Sequence, residues 1–472
     1  MATGDLPIVV QMDDPEHWEQ GQAVCEAVRA AGGRALLVGG CVRDCLLGLP
    51  ATDLDVEVYG IPPARLLEIL SERFAIDLVG RAFGVIKLRG VPIDVSIPRR
   101  SSGAGRGPEE FETLSDPEMT PEEAAGRRDF TINAIAFDPL ASETIDPFRG
   151  REDLDTRILR HTTEKFAEDP LRVLRGMQLA ARFDLEVAEE TVALCREIEP
   201  GSLARERVFQ EWKKLVLKGR RPSRGLGFLR ECGWIRHFRE LSDLIGCEQD
   251  PEWHPEGDVW VHTLHCMDSF ATERSGDERE DLVVGLAVLC HDLGKPSTTK
   301  LEGDRITTKR HEPEGKARTR RFLGQMTNEQ SLIDEVTALV GAHLAPLQLF
   351  EARSSDAAVR RLARRVGRID RLVRVARADQ AGRPPLERGR FAAGDWLLER
   401  ARALDVETTE PERIVNGRHL LQLGLSPGPQ LGSILEVCYA AQLEGEFSTL
   451  EEGLEYAREH CGLGTDRGAD PV

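Results

Sequence analysis

The spacing of apolar residues divides the chain into a strand-rich segment and a long helical one. Between residues 35 and 97, short apolar runs such as ALLV and IDVSI end at glycine or proline, which is typical of β-strands. The segment PPARLLEILSERF (62–74) instead repeats its leucines at helical spacing. From Arg151 onward almost every apolar run is helical, so the pattern predicts a small α/β unit over 35–150 followed by helices.

Five segments follow from this pattern and from the polar stretches between them. They are a lead-in over 1–30 with an amphipathic helix, a head over 31–150, a neck over 151–250, a body over 251–400 and a helical tail over 401–472. Within the head, residues 99–126 are polar and rich in Gly, Pro and Ser. A loop of that length inside a compact domain is either disordered or functional.

Composition narrows the class of protein. The chain has 472 residues, of which 40% are hydrophobic and 30% charged. Its longest apolar run, LVVGLAVLC, is far shorter than the roughly 18 residues of a membrane span, and its N-terminal residues lack the pattern of a secretory signal. The ten cysteines contain no CxxC pair. We therefore expect reduced thiols, a cytoplasmic location and no membrane partner, and the oligomeric state stays open.

A net charge of −19 argues against indiscriminate binding of polyanions, but local patches decide such contacts. Basic residues are concentrated over 203–240 and 359–379. Each stretch is either a solvated helix face or a track for a phosphate backbone. In the first stretch we expect RNA contacts from Lys213, Lys214, Lys218, Arg220, Arg221 and Arg224.

A glycine pair marks the first candidate for chemistry. Gly39 and Gly40 follow the first predicted strand and precede a predicted helix start. Such a turn lets main-chain N–H groups approach a phosphate, and Arg43 on the first helical turn would add positive charge. Taken alone, a Gly-Gly pair is more often an ordinary turn.

Paired carboxylates sharpen this picture. Asp53 and Asp55 lie two residues apart on a predicted strand, so both carboxylates project to one face. Such a pair is costly unless a cation compensates it, and two Mg²⁺ ions are the usual solution in phosphoryl transfer. Asp94, in the strand IDVSI, is a candidate third ligand. The alternative is an acidic turn whose side chains cap the backbone.

A third motif, AEDPLRVLRG, predicts how a base could be read. Asp169, Arg172 and Arg175 are spaced by three residues from a helix start and share one face. Asp accepts from the exocyclic amine and Arg donates to the ring nitrogen of cytosine or adenine, whereas uracil and guanine leave both groups unsatisfied. The motif therefore predicts CTP and ATP as substrates. An N-cap with a surface ion pair is the structural alternative.

In this order, GGCVRDCLLGLPATDLDVEVYG, GRRDFTINAIAFDP and AEDPLRVLRGMQLAARF resemble the class II tRNA nucleotidyltransferases and bacterial poly(A) polymerases. The resemblance covers residues 35–240. It implies an α+β fold with a small polymerase-β-like head and a mostly helical neck and body. It further implies that Asp53 and Asp55 hold metals and that Gly40, Arg43 and Arg128 contact the nucleotide. The loop over 99–126 looks full length, and in this family that length implies competence to add the terminal A.

Histidines and aspartates on separate predicted helices form a second series. Imidazole together with carboxylate favours one or two transition-metal ions over Mg²⁺. Five fragments carry this series: DVWVHTLHCMD, LCHDLGKPSTT, KRHEPEGKA, LVGAHLAP and VARADQAGRPP. In this order, and with HDLGK intact, they resemble the HD phosphohydrolase superfamily, which implies an α-helical HD domain with Ni²⁺, Mn²⁺ or Co²⁺. The implied ligands are His262, His291, Asp292, His311, His343 and Asp379. The alternative is a helical scaffold with little turnover.

These readings combine into one expectation. The chain is predicted to add CCA, or the terminal A, to tRNA from CTP and ATP, with a second, hydrolytic site. Two other classes stay open: a poly(A) polymerase on the same scaffold, and an HD-type phosphohydrolase or regulatory protein with an inactive transferase head.

Overall fold

The strand-like runs near the N-terminus form one seven-stranded sheet in the computed structural model, which describes residues 12, 14–77, 85–100, 115–386 and 389–460. Its strands are β1 (Arg34–Val38), β2 (Leu54–Tyr59), β3 (Ile76–Asp77), β4 (Val85–Leu88), β5 (Ile93–Ser96), β6 (Ala136–Asp138) and β7 (Glu143–Ile145). Their order is β3-β4-β5-β2-β1-β6-β7. Strands β2 and β5 are parallel, and every other neighbouring pair is antiparallel.

The sheet belongs to the first of two units, residues 1–235 and residues 236–472. The helices of the first unit are α1 (Pro15–Ala30), α2 (Gly40–Leu46), α3 (Pro63–Ser71), α4 (Pro121–Ala125), α5 (Gly150–Asp155), α6 (Leu171–Phe183), α7 (Glu189–Arg196), α8 (Arg205–Lys218) and α9 (Pro222–Glu231). Two-residue strands β8 (Ile158–Leu159) and β9 (Glu186–Val187) pair in parallel. They are too short to interrupt the helical pattern that the sequence shows there. The division into five segments stays a prediction.

Local sequence explains why these elements form. Helix α1 begins after Asp14, whose side chain accepts a hydrogen bond from the backbone N–H of Glu16, and Val24 and Val28 on its inner face are fully buried. Helix α3 buries Leu66, Ile69 and Leu70. Residues 101–114 and 464–472, which include most of the predicted loop and the polar tail, lie outside the described residues.

The second unit is built almost entirely from helices. They are α10 (Arg239–Ser242), α11 (Val259–Thr272), α12 (Glu278–Cys290), α13 (Lys295–Thr298), α14 (His311–Gly324), α15 (Gln330–Val340), α16 (Ala345–Glu351), α17 (Asp356–Val366), α18 (Ile369–Ala381), α19 (Ala392–Ala403), α20 (Gly417–Gln422), α21 (Pro429–Glu444) and α22 (Leu450–His460). An antiparallel hairpin of β10 (Lys300–Glu302) and β11 (Arg305–Thr307) interrupts them and was not predicted.

Helix α12 carries the longest apolar run of the chain and buries all of its residues from Asp281 to Cys290. It is a core helix, as a run of that length predicts. Across the described ranges, none of the helices combines the length and the apolar content that crossing a bilayer requires. The nine cysteines within those ranges are free thiols.

Of the two alternatives left open for the second arginine-rich stretch, the ion pairs of its arginines favour a solvated helix face. Arg371 is 9% exposed and bonds to both Glu280 and Glu335. The neighbouring arginines are held by acidic partners as well: Arg361 by Glu444, Arg364 by Glu436, Arg368 by Glu280 and Asp370, and Arg374 by Asp281. Apart from Asp370, the partners lie far away in the sequence, so the local charge count overstated the free positive charge.

Candidate functional sites

The predicted carboxylates lie at the N-terminal ends of the central strand β2 and its neighbour β5. Its side chains alternate, so that Leu54 and Val56 are fully buried while Asp55 lies on the opposite face. Asp53 immediately precedes the strand, and Asp94 on β5 lies directly opposite Asp55 in the parallel register. All three carboxylates therefore occupy neighbouring positions on two adjacent strands. We call this set, together with Gly39 and Arg128, the carboxylate cleft.

The carboxylate cleft is short of positive charge. Burial, together with repulsion from Asp53 and Asp94, raises the pKa of Asp55 to about 6, against the opposing attraction of Arg128. Nζ of Lys87 lies 2.7 and 2.9 Å from the two carboxylate oxygens of Asp94. A buried carboxyl that tends to keep its proton among other carboxylates fits a hard divalent cation such as Mg²⁺, whose preferred ligands are oxygens.

Glycine is required at position 39 on two counts. Its φ of +76° is a conformation that residues with a side chain rarely adopt. A Cβ there would lie 3.3 Å from Oδ2 of Asp55 and 3.4 Å from Nη1 of Arg128. Helix α2 begins at the next residue, Gly40. The turn thus lets the backbone approach the side chains of Asp55 and Arg128 closely, and the predicted approach to a phosphate stays a prediction.

Arg43 does not reach out of the protein. It is 5% exposed, and its guanidinium donates to Oδ1 of Asp44 at 2.7 and 2.9 Å and to Oδ1 of Asn133 at 2.5 Å. The group also stacks over the ring of Phe183, with 4.4 Å to the centroid. In this conformation Arg43 holds α2 against its neighbours and does not present a free fork to a phosphate.

The base-reading motif lies at the start of α6, but its side chains are not paired with one another. Helix α6 begins at Leu171, whose N–H donates to Oδ1 of Asp169 at 3.1 Å. Oδ2 of Asp169 accepts from Arg207 at 2.8 Å. Arg172 donates to the main-chain carbonyls of Lys165 and Arg127 at 2.8 and 2.6 Å. Each member therefore has a partner inside the protein.

The segment of Arg127, Arg128 and Asp129 connects this helix to the carboxylate cleft. Arg128 lies beside Asp55 and bonds to Glu57 at 3.2 Å. Asp129 accepts from Nε of Arg175 at 2.6 Å. Burial raises the pKa of Asp129, but the charge of Arg175 and the surrounding hydrogen bonds outweigh burial and lower that pKa to about 2.

Asn133 closes the connection, because it donates to Asp129 at 3.0 Å and accepts from Arg43. The predicted residues of all three motifs are thus joined through a network whose linking members were missed by sequence reasoning. Those members are Asp44, Asp129, Asn133 and Arg207. Asp129 and Asn133 stand in the quoted motif RRDFTIN, which was the available signal.

The predicted RNA-contacting residues lie on α8, on α9 and between them. Lys218, Arg220, Arg221 and Arg224 are exposed, while Lys213 and Lys214 are partly buried. Lys214 pairs with Glu211 at 2.8 Å, and Arg224 with Asp184 at 3.2 Å. Part of the positive charge is therefore compensated within the protein, and the rest faces outward.

The second series of predicted ligands forms a buried cluster in the second unit. Its members come from separate helices or their ends and are each at most 6% exposed: His262 on α11, His291 and Asp292 after α12, His311 at the start of α14, His343 after α15 and Asp379 on α18. We call this set the histidine cluster. The structure brings together every residue that the HD resemblance implied.

All four imidazoles of the histidine cluster point the same nitrogen inward. Nδ1 of His291, His311 and His343 each lies 2.7–2.8 Å from a main-chain carbonyl three residues earlier. Nδ1 of His262 lies 2.7 Å from Oε1 of Glu256. In a neutral imidazole these acceptors favour the proton on Nδ1, and Nε2 is then the nitrogen that can bind a metal.

Asp292 lies between two halves of the histidine cluster. Its Oδ2 is 3.2 Å from Nε2 of His291 and 3.8 Å from that of His262, and its Oδ1 is 3.6 and 3.9 Å from those of His311 and His343. Nζ of Lys295 forms an ion pair with Oδ2 at 2.7 Å, whereas Oδ1 has no hydrogen-bond partner among the described residues. A carboxylate oxygen that is buried without a hydrogen bond is costly, and a cation bound between the imidazoles would offset that cost.

The electrostatics of the histidine cluster also favour a bound cation. Burial lowers the pKa of His262, but Cys266, Asp379 and Glu256 outweigh burial and raise that pKa above its ordinary value, so this position favours a positive charge. Burial and the neighbouring imidazoles lower the pKa of His343 to about 3, which keeps its ring neutral. These residues fit one or two divalent transition-metal ions, with Asp292 placed to bridge them.

Five groups at the histidine cluster were missed by sequence reasoning. His254 and His262 share Oε1 of Glu256 at 2.8 and 2.7 Å. Arg383 donates to Asp379 at 2.7 Å, and Lys295 bonds to Gln249. The thiol of Cys266 lies 3.3 Å from Nε2 of His262. The only signal was their proximity in the sequence to predicted ligands.

Comparison with known proteins identifies relatives of this chain. Residues 35–160 match the family model described as "Poly A polymerase head domain". The multifunctional CCA protein of Xanthomonas campestris pv. campestris strain B100 is 36% identical over 413 residues, which are 84% of this chain and 95% of the relative. The protein of the same name from Stenotrophomonas maltophilia strain K279a is 37% identical over 393 residues, 79% of this chain and 93% of the relative.

Among solved structures, the Bacillus stearothermophilus CCA-adding enzyme in complex with CTP superposes with a TM-score of 0.67. It covers 94% of this chain and 98% of its own length at 23% identity. At that identity the likeness shows a common fold, the α+β architecture that the motifs predicted.

Proposed function

The chain belongs to the family of multifunctional CCA proteins, and on this premise we propose that it adds CCA, or the terminal A alone, to the 3′ ends of tRNA. Its nucleotide substrates are then CTP and ATP. The observation that carries the proposal is the meeting of Asp53, Asp55 and Asp94 with Arg128 at the N-terminal ends of β2 and β5. The main-chain turn at Gly39 leaves the space beside them open.

In the proposed reaction the RNA 3′-OH attacks the α-phosphate and pyrophosphate leaves. Asp53 and Asp55 would hold two Mg²⁺ ions, which neutralise the charge of the triphosphate when bound. Arg128 lies beside Asp55 and is placed to orient the triphosphate. The turn at Gly39-Gly40 lets the backbone approach the phosphates.

Base selection in this proposal is a competition. Asp169 and Arg172 already bind Arg207 and two main-chain carbonyls, so cytosine or adenine must replace these partners. Uracil and guanine offer the reversed hydrogen-bonding pattern and would leave both side chains unpaired. Each unpaired group costs about 1–3 kcal/mol, which rejects the wrong nucleotides. Arg175, held by Asp129, keeps the helix in register with the cleft.

The tRNA would run along the exposed basic residues of the neck. The outward-facing Lys218, Arg220, Arg221 and Arg224 supply charge for phosphate contacts, and Lys213 and Lys214 flank them. This proposal predicts that tRNA binding weakens steeply with salt.

Extension of defined tRNA ends tests the proposed transfer. Substrates that end before CCA, after one C and after CC are offered with CTP, ATP or both, and the product length is measured. Limited addition of CCA supports full CCA synthesis, and extension of the CC end alone indicates A addition. Long A tails would favour a poly(A) polymerase on the same scaffold. No extension would overturn the proposed transfer and favour an inactive head.

We further propose that the histidine cluster is an HD-type, metal-dependent phosphohydrolase site. The observation that carries this proposal is the convergence of four Nε2 atoms on Asp292, whose Oδ1 has no hydrogen-bond partner among the described residues. Ni²⁺, Mn²⁺ or Co²⁺ bound here would supply activated water for attack on a phosphate ester. Lys295 and Arg383 are the cations nearest the ligands and are placed to offset the charge of the phosphate.

The HD resemblance suggests 2′,3′-cyclic phosphates, 2′-nucleotides and phosphomonoesters as substrates. Hydrolysis of a nucleoside 2′,3′-cyclic phosphate by the metal-stripped and the reloaded full chain tests this site. Loss on stripping and recovery on reloading support the proposal. Unchanged hydrolysis after stripping would contradict it, and absence of hydrolysis under all conditions would favour a retained helical scaffold.

A further inference from the structure

The histidine cluster contains a ligand-type group that neither the motif spacing nor the HD resemblance includes, the thiol of Cys266. We propose that Cys266 supplies a thiolate ligand to the metal ion held by His262, His291 and Asp379, and that this sulfur biases that half of the cluster toward soft transition metals such as Zn²⁺ and Co²⁺. The inference rests on the proposed metal site.

The positions of the donor atoms carry the inference. Cys266 follows His262 by one helical turn and shares its face of α11. Nε2 of His262 lies 3.3 Å from Sγ of Cys266 and 3.3 Å from Nε2 of His291. The same nitrogen lies 3.2 Å from Oδ1 of Asp379. All four donor atoms fall within 4.8 Å of one another.

The separations of the nitrogen and oxygen donors match those of neighbouring ligands on one ion. Metal–nitrogen bonds of about 2.0–2.1 Å and metal–sulfur bonds of about 2.3 Å place neighbouring ligand atoms about 3.3–3.6 Å apart at tetrahedral angles. Nε2 of His291 and Oδ1 of Asp379 lie close to this spacing from Nε2 of His262. Sγ of Cys266 lies 3.3 Å from Nε2 and 3.9 Å from Nδ1 of His262, beside the ring, so that the thiol has to turn toward the bound ion.

The surroundings of Cys266 also differ from those of an ordinary buried thiol. The side chain is fully buried, and its sulfur faces imidazole and carboxylate groups. Oδ2 of Asp292 lies 3.8 Å from Nε2 of His262 and points into the same space. Gly382 leaves room for the sulfur, since a Cβ there would lie 2.3 Å from Sγ.

Thiolate coordination makes the two halves of the histidine cluster chemically unequal. Binding of a divalent ion displaces the thiol proton, which passes to solvent, and a metal–sulfur bond forms. Arg383, 2.7 Å from Asp379, helps to balance the added negative charge. The other half, built from His311, His343 and Asp292, offers nitrogen and oxygen among the described groups. We therefore expect the first half to prefer softer ions than the second.

Metal loading of the full chain tests the inference without reference to activity. The protein is stripped with a chelator and loaded with Co²⁺ or Zn²⁺ alone. X-ray absorption of the Zn²⁺ form is expected to show a sulfur neighbour at about 2.3 Å. The Co²⁺ form is expected to show a thiolate-to-metal charge-transfer band in the near ultraviolet. Cys266→Ser should remove both signals and weaken binding of the soft ion by about 10–100-fold.

Two matched variants identify the source of the sulfur. Cys438 is buried in the C-terminal core of the same unit, and Cys41 is buried near Asp55. Cys438→Ser and Cys41→Ser should keep the signals. Loss in Cys41→Ser with retention in Cys266→Ser would overturn the inference.

The wild-type chain alone is decisive if Cys266→Ser fails to fold. Bound Co²⁺ or Zn²⁺ with only nitrogen and oxygen neighbours would overturn the thiolate ligand and leave the proposed hydrolytic site standing. No binding of either ion would overturn both.

Discussion

The carboxylate cleft and the histidine cluster handle charge in opposite ways. In the cleft, the arginines of the motifs are already engaged: Arg43 with Asp44 and Asn133, and Arg172 with main-chain carbonyls. In the cluster, four imidazoles turn Nδ1 to acceptors of the protein and Nε2 toward Asp292, whose Oδ1 has no hydrogen-bond partner among the described residues.

This difference separates a site that must rearrange from one that is already arranged. A nucleotide has to compete with internal partners in the cleft, and that competition can discriminate between bases. A metal entering the cluster meets ligands whose orientation is fixed, so affinity depends on the groups that fix them. Substitutions in the two sites should therefore change different quantities.

The largest effect is expected from Asp55→Asn. Removing one carboxylate of the cleft costs several kcal/mol of charge stabilisation, which lowers nucleotide addition to tRNA by about 10³-fold or more. Glu68→Gln, an exposed acid on α3 paired with Arg65, is the control and should keep full activity. Incorporation of labelled CTP and ATP into tRNA measures the activity of both variants. Near-normal incorporation by Asp55→Asn would remove this carboxylate from the reaction.

A smaller effect is expected from Glu256→Gln in the histidine cluster. Glu256 binds both His254 and Nδ1 of His262, so its loss frees the ring to rotate. Affinity for Co²⁺ should fall by about 10–100-fold, as for other outer partners of metal ligands. Glu252→Gln, an exposed acid of the same loop, is the control. Equal Co²⁺ affinities in the two variants would contradict the role given to Glu256.

Base discrimination should change by a similar or smaller factor. Arg172→Met removes the group that donates to the ring nitrogen, so the preference for CTP and ATP over UTP should fall by about 5–150-fold, or about 1–3 kcal/mol. Arg205→Met, at the exposed start of α8, is the control. The relative kcat/KM values of the nucleotides measure the effect. Unaltered selectivity in Arg172→Met would sink the base-reading role.

The smallest effect is on stability and has a defined dependence on pH. Because the pKa of Asp55 is raised to about 6 in the folded chain, its ionisation opposes folding above that pH. In metal-free protein, Asp55→Asn should therefore increase the free energy of unfolding at pH 7 by about 1–3 kcal/mol. The gain should vanish below about pH 4, where the acid is protonated in both states. Thermal unfolding in a chelator across this range measures it, and a gain that is independent of pH would contradict the assignment.

Sequence patterns predicted the elements that carry the cleft. The alternation in DLDVEV identified β2 and the face of Asp55, whereas the register that sets Asp94 of β5 opposite Asp55 was seen only in the structure. The short pairs β8–β9 and β10–β11 were missed because two or three residues cannot show a period. Helix spacing likewise placed the ligands of the histidine cluster on separate elements.

The hydrogen-bond and ion-pair partners of the motif side chains could not be predicted from the sequence. Spacing puts Asp169 and Arg172 on one helix face, but it cannot show that Arg207 and the carbonyl of Arg127 bind them first. Charge counting likewise left two alternatives open for residues 359–379, because the acidic partners of Arg371 and Arg374 come from a helix distant in the sequence. Long-range contacts decide such partners, and a single sequence does not display them.

The central claim is that each unit carries one independent active site. It is tested by measuring tRNA extension and hydrolysis of a nucleoside 2′,3′-cyclic phosphate on the same preparations of wild type, Asp55→Asn and Asp292→Asn. The account predicts that Asp55→Asn loses only extension and Asp292→Asn only hydrolysis. If either substitution abolished both activities in a folded chain, or if neither altered its own, the division of chemistry between the carboxylate cleft and the histidine cluster would be wrong.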